Sequence, residues 1–532
     1  MKSRNALGVA AVVMLAACSD NAGVPTQVKA PTEPALSQNQ GQVKPLYMAT
    51  KDGIENEYVV VLRDTDDPTR VSASHSVAMT HTYQHTIKGF SATLTRSQLA
   101  RLRQDDRVKY IAQNGIVRIT QSTPGGPVNA VAAPPSAAIV QPTPAGLWGL
   151  DRLDQATTIN GSYAYVNRGL GVKVYILDTG GNFTHNDFDG AAANRYKSGI
   201  DIVNPGTPAD DCHGHGTHVA GTVGGTTYGV AKAVTMYAVR VLDCGGSGSF
   251  AGVVAGVDWI TYNHLKPAVA NASLGGGFFL PLNDAITKSI LYGVTWVVAS
   301  GNSSADACGF SPASTALALS VNASDINDNR ASFSNFGPCT DIYAPGVSVL
   351  SAWIGSSTAA AVLSGTSMAS PHVAGLAALF LQTKPTATPT EVGDVLKLNS
   401  QLNEIGGNPG GTANLLAHKQ TGNCATAAAY CVGIEGNTQF PSLVGGTQWY
   451  YFSGTGIQRG YLRGTVGTNF DMELHEWNGA AWVLRVNSVA ATTNPIITFN
   501  STCAFGLSNC FKMYRVKSAT GIGAFDFWHD RQ

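Results

Sequence analysis

The chain has 532 residues, 59 of them glycine, with 13% charged and 44% hydrophobic residues and a formal net charge of +0. That length exceeds one ordinary domain, and the balanced charge excludes the electrostatic footprint of a nucleic-acid or anionic-membrane binder. Abundant glycine beside Ala, Ser, Thr and Val fits a tightly packed, turn-rich α/β protein.

The opening stretch, MKSRNALGVAAVVMLAACSD, sets Lys2 and Arg4 ahead of an apolar run from Ala6 to Ala17. That run is shorter than the ~20 residues a bilayer span needs. Residues 1–17 read as an export signal, and Leu15-Ala16-Ala17-Cys18 is similar to a bacterial lipobox, with Cys18 as the lipidated residue; an ordinary cleavage site is the alternative. Without Cys18, eight cysteines remain in an exported chain, in spaced pairs: Cys212 with Cys244, Cys308 with Cys339, Cys424 with Cys431, and Cys503 with Cys510. Four disulfides are expected.

Residues 18–57 are polar, contain Pro, Gln and Asn, and lack periodicity, which suits a flexible tether. From Tyr58, YVVVLRD, GFSATL and VKYIAQ read as strands and SQLARLRQ as a helix, giving a small α+β unit over residues 58–120. A Pro/Ala/Gly linker, residues 121–145, follows. In residues 146–419 the apolar runs VKVYIL, TMYAVRVL, AVANAS and VTWVVAS alternate with helical stretches such as FAGVVAGVDWITYN. That alternation implies a parallel sheet with helices on both faces. Residues 424–532 carry many short alternating runs, among them QWYYFSG, FDMELHEW and FKMYRV, and read as an all-β sandwich.

Three motifs in the α/β block carry chemistry. VYILDTGG ends an apolar strand in Asp178, where open α/β sheets place their sites. HGHGTHVAG holds His213, His215 and His218, an H-x-H-x-x-H pattern that also admits a zinc ligand set and therefore a zinc hydrolase as the alternative function. In LSGTSMASPHVAG, Ser367 opens an apolar helix, where a serine is ordinarily a cap. The zinc reading requires further convergent ligands and leaves the serine motif unexplained.

Together, in the order Asp, His, Ser, these motifs resemble the subtilisin-like serine peptidases, specifically the proteinase K and aqualysin branch, from AGLWGLDRLDQ near Gly146 to TANLLAH near His418. The resemblance implies a triad of Asp178, His215 and Ser367. Amide hydrolysis needs a nucleophile better than water, so His215 would act as base toward Ser367 and then as acid toward the leaving amine, held by Asp178. Asn302, in ASGN, matches the family's oxyanion donor, with the Ser367 N–H as a second. Gly246, Ser247 and Gly248, and Ser273, Leu274 and Gly275, look like two edges that pair with an extended peptide. A primary pocket including Gly275, Ala299 and Gly301 has no charge at its base, which implies broad cleavage after apolar or aromatic residues.

By the same resemblance calcium is the structural metal. Asp341 would share one ion with the carbonyls of Ala316 and Ala318, and Asp151, Asp154 and Gln155, with Asn160 as a further candidate, resemble a second site. Cys212/Cys244 and Cys308/Cys339 look like the aqualysin-type disulfides. Residues 58–120 resemble an inhibitory propeptide, removed by self-cleavage within the linker between Thr120 and Gly146, where the resemblance favours the neighbourhood of Gln141; any lipid on Cys18 then lies on the released side. Residues 424–532 resemble the prepeptidase C-terminal β domain. The expected protein is an exported, monomeric endopeptidase made as a zymogen. Its partners are protein or peptide substrates and its own propeptide, with no nucleic acid, and with membrane contact only through the precursor lipid.

Overall fold

The computed structural model describes residues 43–120, 127–128, 140–155, 159–189 and 194–419, and beyond them the backbone of eight strands between Thr438 and Arg531. The signal segment, Cys18, most of the linker and Cys424, Cys431, Cys503 and Cys510 lie outside the described residues.

The first unit is a sheet with its own helices on one face. Strand β1 (Gly53–Leu62) is followed by α1 (Pro68–Ser74), β2 (His81–Tyr83), β3 (Gly89–Thr93), α2 (Arg96–Leu102) and β4 (Val108–Ile119). The α2 start is fixed by a capping box in which Thr95 and Gln98 exchange side-chain-to-backbone hydrogen bonds. Strand β1 begins five residues before Tyr58, so part of the polar stretch assigned to the tether is ordered. Its first half, GIENE, is largely exposed and only YVVVL is buried, which hides the start of the strand from a hydrophobicity reading. Alternation along β1 sends Tyr58, Val60 and Leu62 into the unit's own core. Val59 and Val61 face the other way, into a core shared with the following domain.

That domain is built on a sheet of nine strands among the described residues. Its members include β5 (Lys173–Asp178), β6 (Tyr196–Asp201), β7 (Thr235–Arg240), β9 (Ala268–Ala272), β11 (Val294–Ala299), β12 (Leu319–Ser324) and β13 (Ile342–Pro345), in the spatial order β6-β7-β5-β9-β11-β12-β13, all parallel. Short strands β8 (Ser247–Ser249) and β10 (Leu274–Gly277) stand outside it. Along β5, Val174 and Ile176 enter one core while Tyr175 and Leu177 enter another, so both faces are covered. Helices α3 (His215–Gly224) and α6 (Thr366–Thr383) cover the first face. Helices α4 (Phe250–Asn263) and α5 (Leu280–Leu291) cover the second, where the propeptide-like unit also docks. The strand order reverses between β5 and β9, which makes the carboxyl end of β5 the place where an open α/β sheet forms a crevice.

A hairpin of β14 (Val349–Ala352) and β15 (Ala360–Leu363) leads into α6. Disulfides join Cys212 to Cys244 and Cys308 to Cys339. The C-terminal strands form two four-stranded antiparallel sheets. Among the described residues no helix is long and apolar enough to cross a membrane.

Candidate active site

Asp178 ends β5 at the sheet reversal, and His215 opens α3 beside it. Both are fully buried, with Asp178 Oδ1 2.7 Å from His215 Nδ1. The Thr179 N–H also donates to Asp178 Oδ1, at 2.8 Å. A carboxylate so placed holds the imidazole with Nδ1 protonated and its Nε2 lone pair facing outward. Ser367 is in the first turn of α6, buried at 0% exposure beneath the docked propeptide-like unit.

Its hydroxyl is not bonded to His215, whose Nε2 has no hydrogen-bond partner among the described residues. Ser367 Oγ instead lies 2.6 Å from Thr120 Oγ1 and donates to the Ser273 carbonyl at 3.0 Å. Ser273 is itself fixed, since its Oγ donates to the Ser367 carbonyl and lies 2.9 Å from Ser370 Oγ. Rotation about the Ser367 Cα–Cβ bond is the motion that exchanges Thr120 for the imidazole as partner.

Thr120 shows what the crevice accepts. Its carbonyl oxygen accepts from Asn302 Nδ2 and from the Ser367 N–H, the latter at 3.2 Å. Asn302 Oδ1 accepts from both Thr366 N and Thr366 Oγ1 at 2.9 Å, which turns the amide's nitrogen toward Thr120. Gly301 has φ 107°, and a Cβ there would strike Asn335 Nδ2, so only glycine lets the chain turn Asn302 into the site. Two fixed donors on one carbonyl form the geometry that stabilises an oxyanion.

The residues before Thr120 are held as a strand between two edges. Arg118 pairs with Ser247 on one side and Gly275 on the other, and Ile119 with Leu274. Ile119 N donates to Gly246 O at 3.0 Å and Thr120 N to Ser273 O at 3.3 Å. Gly246, at φ 72°, lies against Ile119; a Cβ added to it would come 3.1 Å from Ile119 Cδ1 and 3.3 Å from His213 Nε2. A Cβ on Gly275 would lie in ordinary contact, 3.6 Å, with Thr120 Cγ2, so both glycines lie directly against side chains of the bound strand. Ala299, the buried last residue of β11, precedes the Ser300-Gly301-Asn302 turn.

The three histidines separate. His213 is half-buried, its ring 6.3 Å from that of His215, and burial followed by the neighbouring His215 lowers its pKa. His218 is buried; burial, then His215, pushes its pKa down to about 3, and its Nε2 lies 3.1 Å from both the Val349 and Ala361 carbonyls. It is a neutral donor bracing the hairpin. With His215 Nδ1 committed to Asp178, the three rings do not converge, and among the described residues no group of three or more His, Cys, Asp or Glu is placed to hold a metal. This corrects the zinc alternative: the H-x-H-x-x-H spacing puts one ring at the cleft rim, one in the site and one behind it.

The two candidate calcium sites differ in their donors. Asp341 Oδ2 accepts from Ser320 N at 2.9 Å, and Oδ1 faces the ammonium of Lys397 at 3.4 Å. A carboxylate whose outer oxygen already faces a cation on a partly exposed side chain fits a hard cation in its place. Ala318 is buried and Ala316 exposed, just before the strand that bonds Asp341. Asp151 and Asp154 carry more protein donors than Asp341 does. Asp151 accepts from Asn160 N, Gly161 N and Thr143 Oγ1, and Asp154 from Ala164 N and Gln155 Nε2, so protein donors occupy all four oxygens. Burial raises the Asp154 pKa.

Three residues escaped the sequence reading. Thr366 orients Asn302, Thr120 fills the site, and Asp258 of α4 anchors the propeptide-like unit. The Asp258 carboxylate accepts from Gln84 N, His85 N, Thr86 N and Thr86 Oγ1 at 2.7–3.1 Å. Tyr83 Oη donates to Ala251 O at 3.0 Å, and Tyr110 Oη to Asp284 Oδ2 at 2.5 Å. Replacing Asp258 with alanine strands three backbone donors, so the cleaved first unit should inhibit roughly 30- to 150-fold less tightly, about 2–3 kcal/mol. Titration of the mature enzyme with that unit measures the loss.

A buried Asp-His pair, a serine at a helix start and two donors on one peptide carbonyl, at the switch point of a parallel sheet, define a serine hydrolase acting on extended polypeptide. Comparison with known proteins agrees. Residues 169–423 match the "Subtilase family" and residues 48–120 the "Peptidase inhibitor I9" family. The chain is 50% identical over 315 residues to the "Extracellular serine proteinase" of Thermus sp. (strain Rt41A), covering 59% of this chain and 71% of that one. It is 42% identical to "Alkaline serine exoprotease A" of Vibrio alginolyticus, covering 67% and 63%. A solved structure, that of "a cold adapted subtilisin-like serine proteinase", matches with TM-score 0.50 and 44% identity over 52% of this chain and 99% of that one. The chain belongs to the subtilase family: it is a subtilisin-like serine endopeptidase carrying an inhibitor-I9 propeptide.

Proposed function

We propose that this chain is an exported zymogen that cuts itself between Thr120 and Gln121 and then hydrolyses extended polypeptides of varied sequence. Ser367 is the nucleophile, His215 its base and then the acid for the leaving amine, Asp178 the residue that orients the imidazole, and Asn302 with the Ser367 N–H the oxyanion donors. The observation that carries the reading is the Thr120 carbonyl between Asn302 Nδ2 and Ser367 N, with Ile119 and Arg118 laddered behind it. The I9 match also ends at residue 120. Gln141, near which the resemblance put the cut, is 2% exposed, donates its Nε2 to Thr227 O at 2.8 Å and belongs to a strand paired with Ser162–Ala164. N-terminal sequencing during self-processing should find Gln121 as the first new terminus; a first terminus at Gln141 overturns the assignment.

Export is supported by the two disulfides and by the relative named extracellular. A cut after Thr120 leaves any lipid on Cys18 with the propeptide. Main-chain ladders support broad specificity, and we assign the primary pocket to Gly275, Ala299 and Gly301, none of them charged, for apolar or aromatic residues.

Subtilisin-like proteases commonly bind structural calcium. Here Asp341, with the Ala316 and Ala318 carbonyls, is the site we assign, and the ion's part is to tie strand ends together. In a Ser367→Ala background, saturating calcium should raise the melting temperature by roughly 5–10 °C, and Asp341→Asn should abolish the increment. Calorimetry with and without chelator decides it.

A further inference from the structure

We propose that the outer edge of β15 is a docking edge for the downstream half of polypeptide substrates, engaging the seventh and eighth residues after the scissile bond. The inference rests on Thr120 as the residue before that bond.

Pro127 and Val128, seventh and eighth after Thr120, form a two-residue strand antiparallel to β15, with Val128 opposite Ala360 and Pro127 opposite Ala361. The other side of β15 is paired along its whole length with β14, so β15 is the middle strand of a three-stranded sheet whose third member is the enzyme's own downstream chain. The polypeptide is thus held by main-chain ladders on both sides of Thr120: residues 116–119 on β8 and β10 before it, and 127–128 on β15 after it. Backbone pairing does not depend on side-chain identity, so any extended substrate offers the same groups. Consecutive antiparallel pairs alternate between bonded and unbonded, and proline cannot donate, so the N–H at the Val128 position is the one that faces β15.

The edge is also fixed relative to the reacting groups. Strand β15 ends at Leu363, four residues before Ser367. From the other side, His218 Nε2 lies 3.1 Å from both Val349 O and Ala361 O, and Ser351 Oγ donates to the His218 carbonyl at 2.8 Å. Since His218 is one turn along α3 from His215, the hairpin is braced against the helices of both nucleophile and base. A strand docked there is positioned by the same framework that aligns the catalytic groups, which is how distant binding can lower the barrier to reaching the reactive geometry.

The test uses mature enzyme from a Val128→Pro chain, which removes the N–H of the edge's own occupant. One peptide copies residues 116–124, a second residues 116–129, and a third is the second with an N-methyl group on the valine. The long peptide should show kcat/KM about tenfold above the short one, mainly through KM, and the N-methylated peptide should return to the short peptide's value. Equal values for long and short, or a full advantage kept by the N-methylated peptide, overturn the docking edge. Failure to cut the short peptide after its threonine removes the Thr120 assignment, and the proposal with it; cutting it without a length effect removes the edge alone.

Discussion

Ser367→Ala should leave the purified chain uncut between Thr120 and Gln121 and lower casein hydrolysis on the order of 10⁶-fold, the scale seen when a triad serine is removed. Gel analysis and mass spectrometry of the purified chain report the first effect, and loss of labelling by an organophosphorus probe reports the missing nucleophile. The variant should still fold. Ser367 Oγ contributes contacts to Thr120 Oγ1 and Ser273 O, while its backbone donor, the α6 helix and the β4 ladders remain. The precursor should therefore persist as a stable self-complex, with Thr120 still in the crevice. A Ser367→Ala chain that yields the Gln121 terminus at the wild-type rate, free of other proteases, would refute the mechanism.

The proposed triad residues could be picked out because each stands in a contiguous motif whose neighbours fix its local geometry: a strand end, a Gly-led helix start and a second helix start. The parallel sheet was readable for a similar reason, since strands buried on both faces must be near-continuous apolar runs. Thr120 was not readable. Nothing in VRIT distinguishes its threonine from neighbouring residues; the site is selected by the register of β4 against β8 and β10, which lie more than 120 residues away in the chain. Asp258 and Thr366 are hidden for the same reason, since their partners are backbone groups and an amide brought close only by folding. The expected cut near Gln141 and the Asp151/Asp154 calcium site came from resemblance alone. In this chain Gln141 is laid into a buried strand, and the protein's own N–H and O–H groups also bond Asp151 and Asp154.

Asn302→Ala should lower kcat by about 100- to 1,000-fold with little change in KM, because the lost donor acts on charge that develops after substrate is bound. Main-chain ladders at Gly246, Ser247, Leu274 and Gly275 hold the substrate and are untouched by the change. The residual rate comes from the Ser367 N–H, which is backbone and survives. Self-processing should slow by the same factor as casein hydrolysis, since Thr120 and a foreign substrate residue present the same carbonyl to the same two donors. Thr366→Val offers an internal gradation. It removes one of two donors to Asn302 Oδ1 and leaves the other, Thr366 N, so the amide stays near its orientation and the loss should be about tenfold or less. Steady-state kinetics on one peptide, together with the self-processing rate of each full chain, checks the series. An Asn302→Ala enzyme that loses KM instead of kcat would show that the side chain binds ground-state substrate and that the oxyanion assignment is wrong.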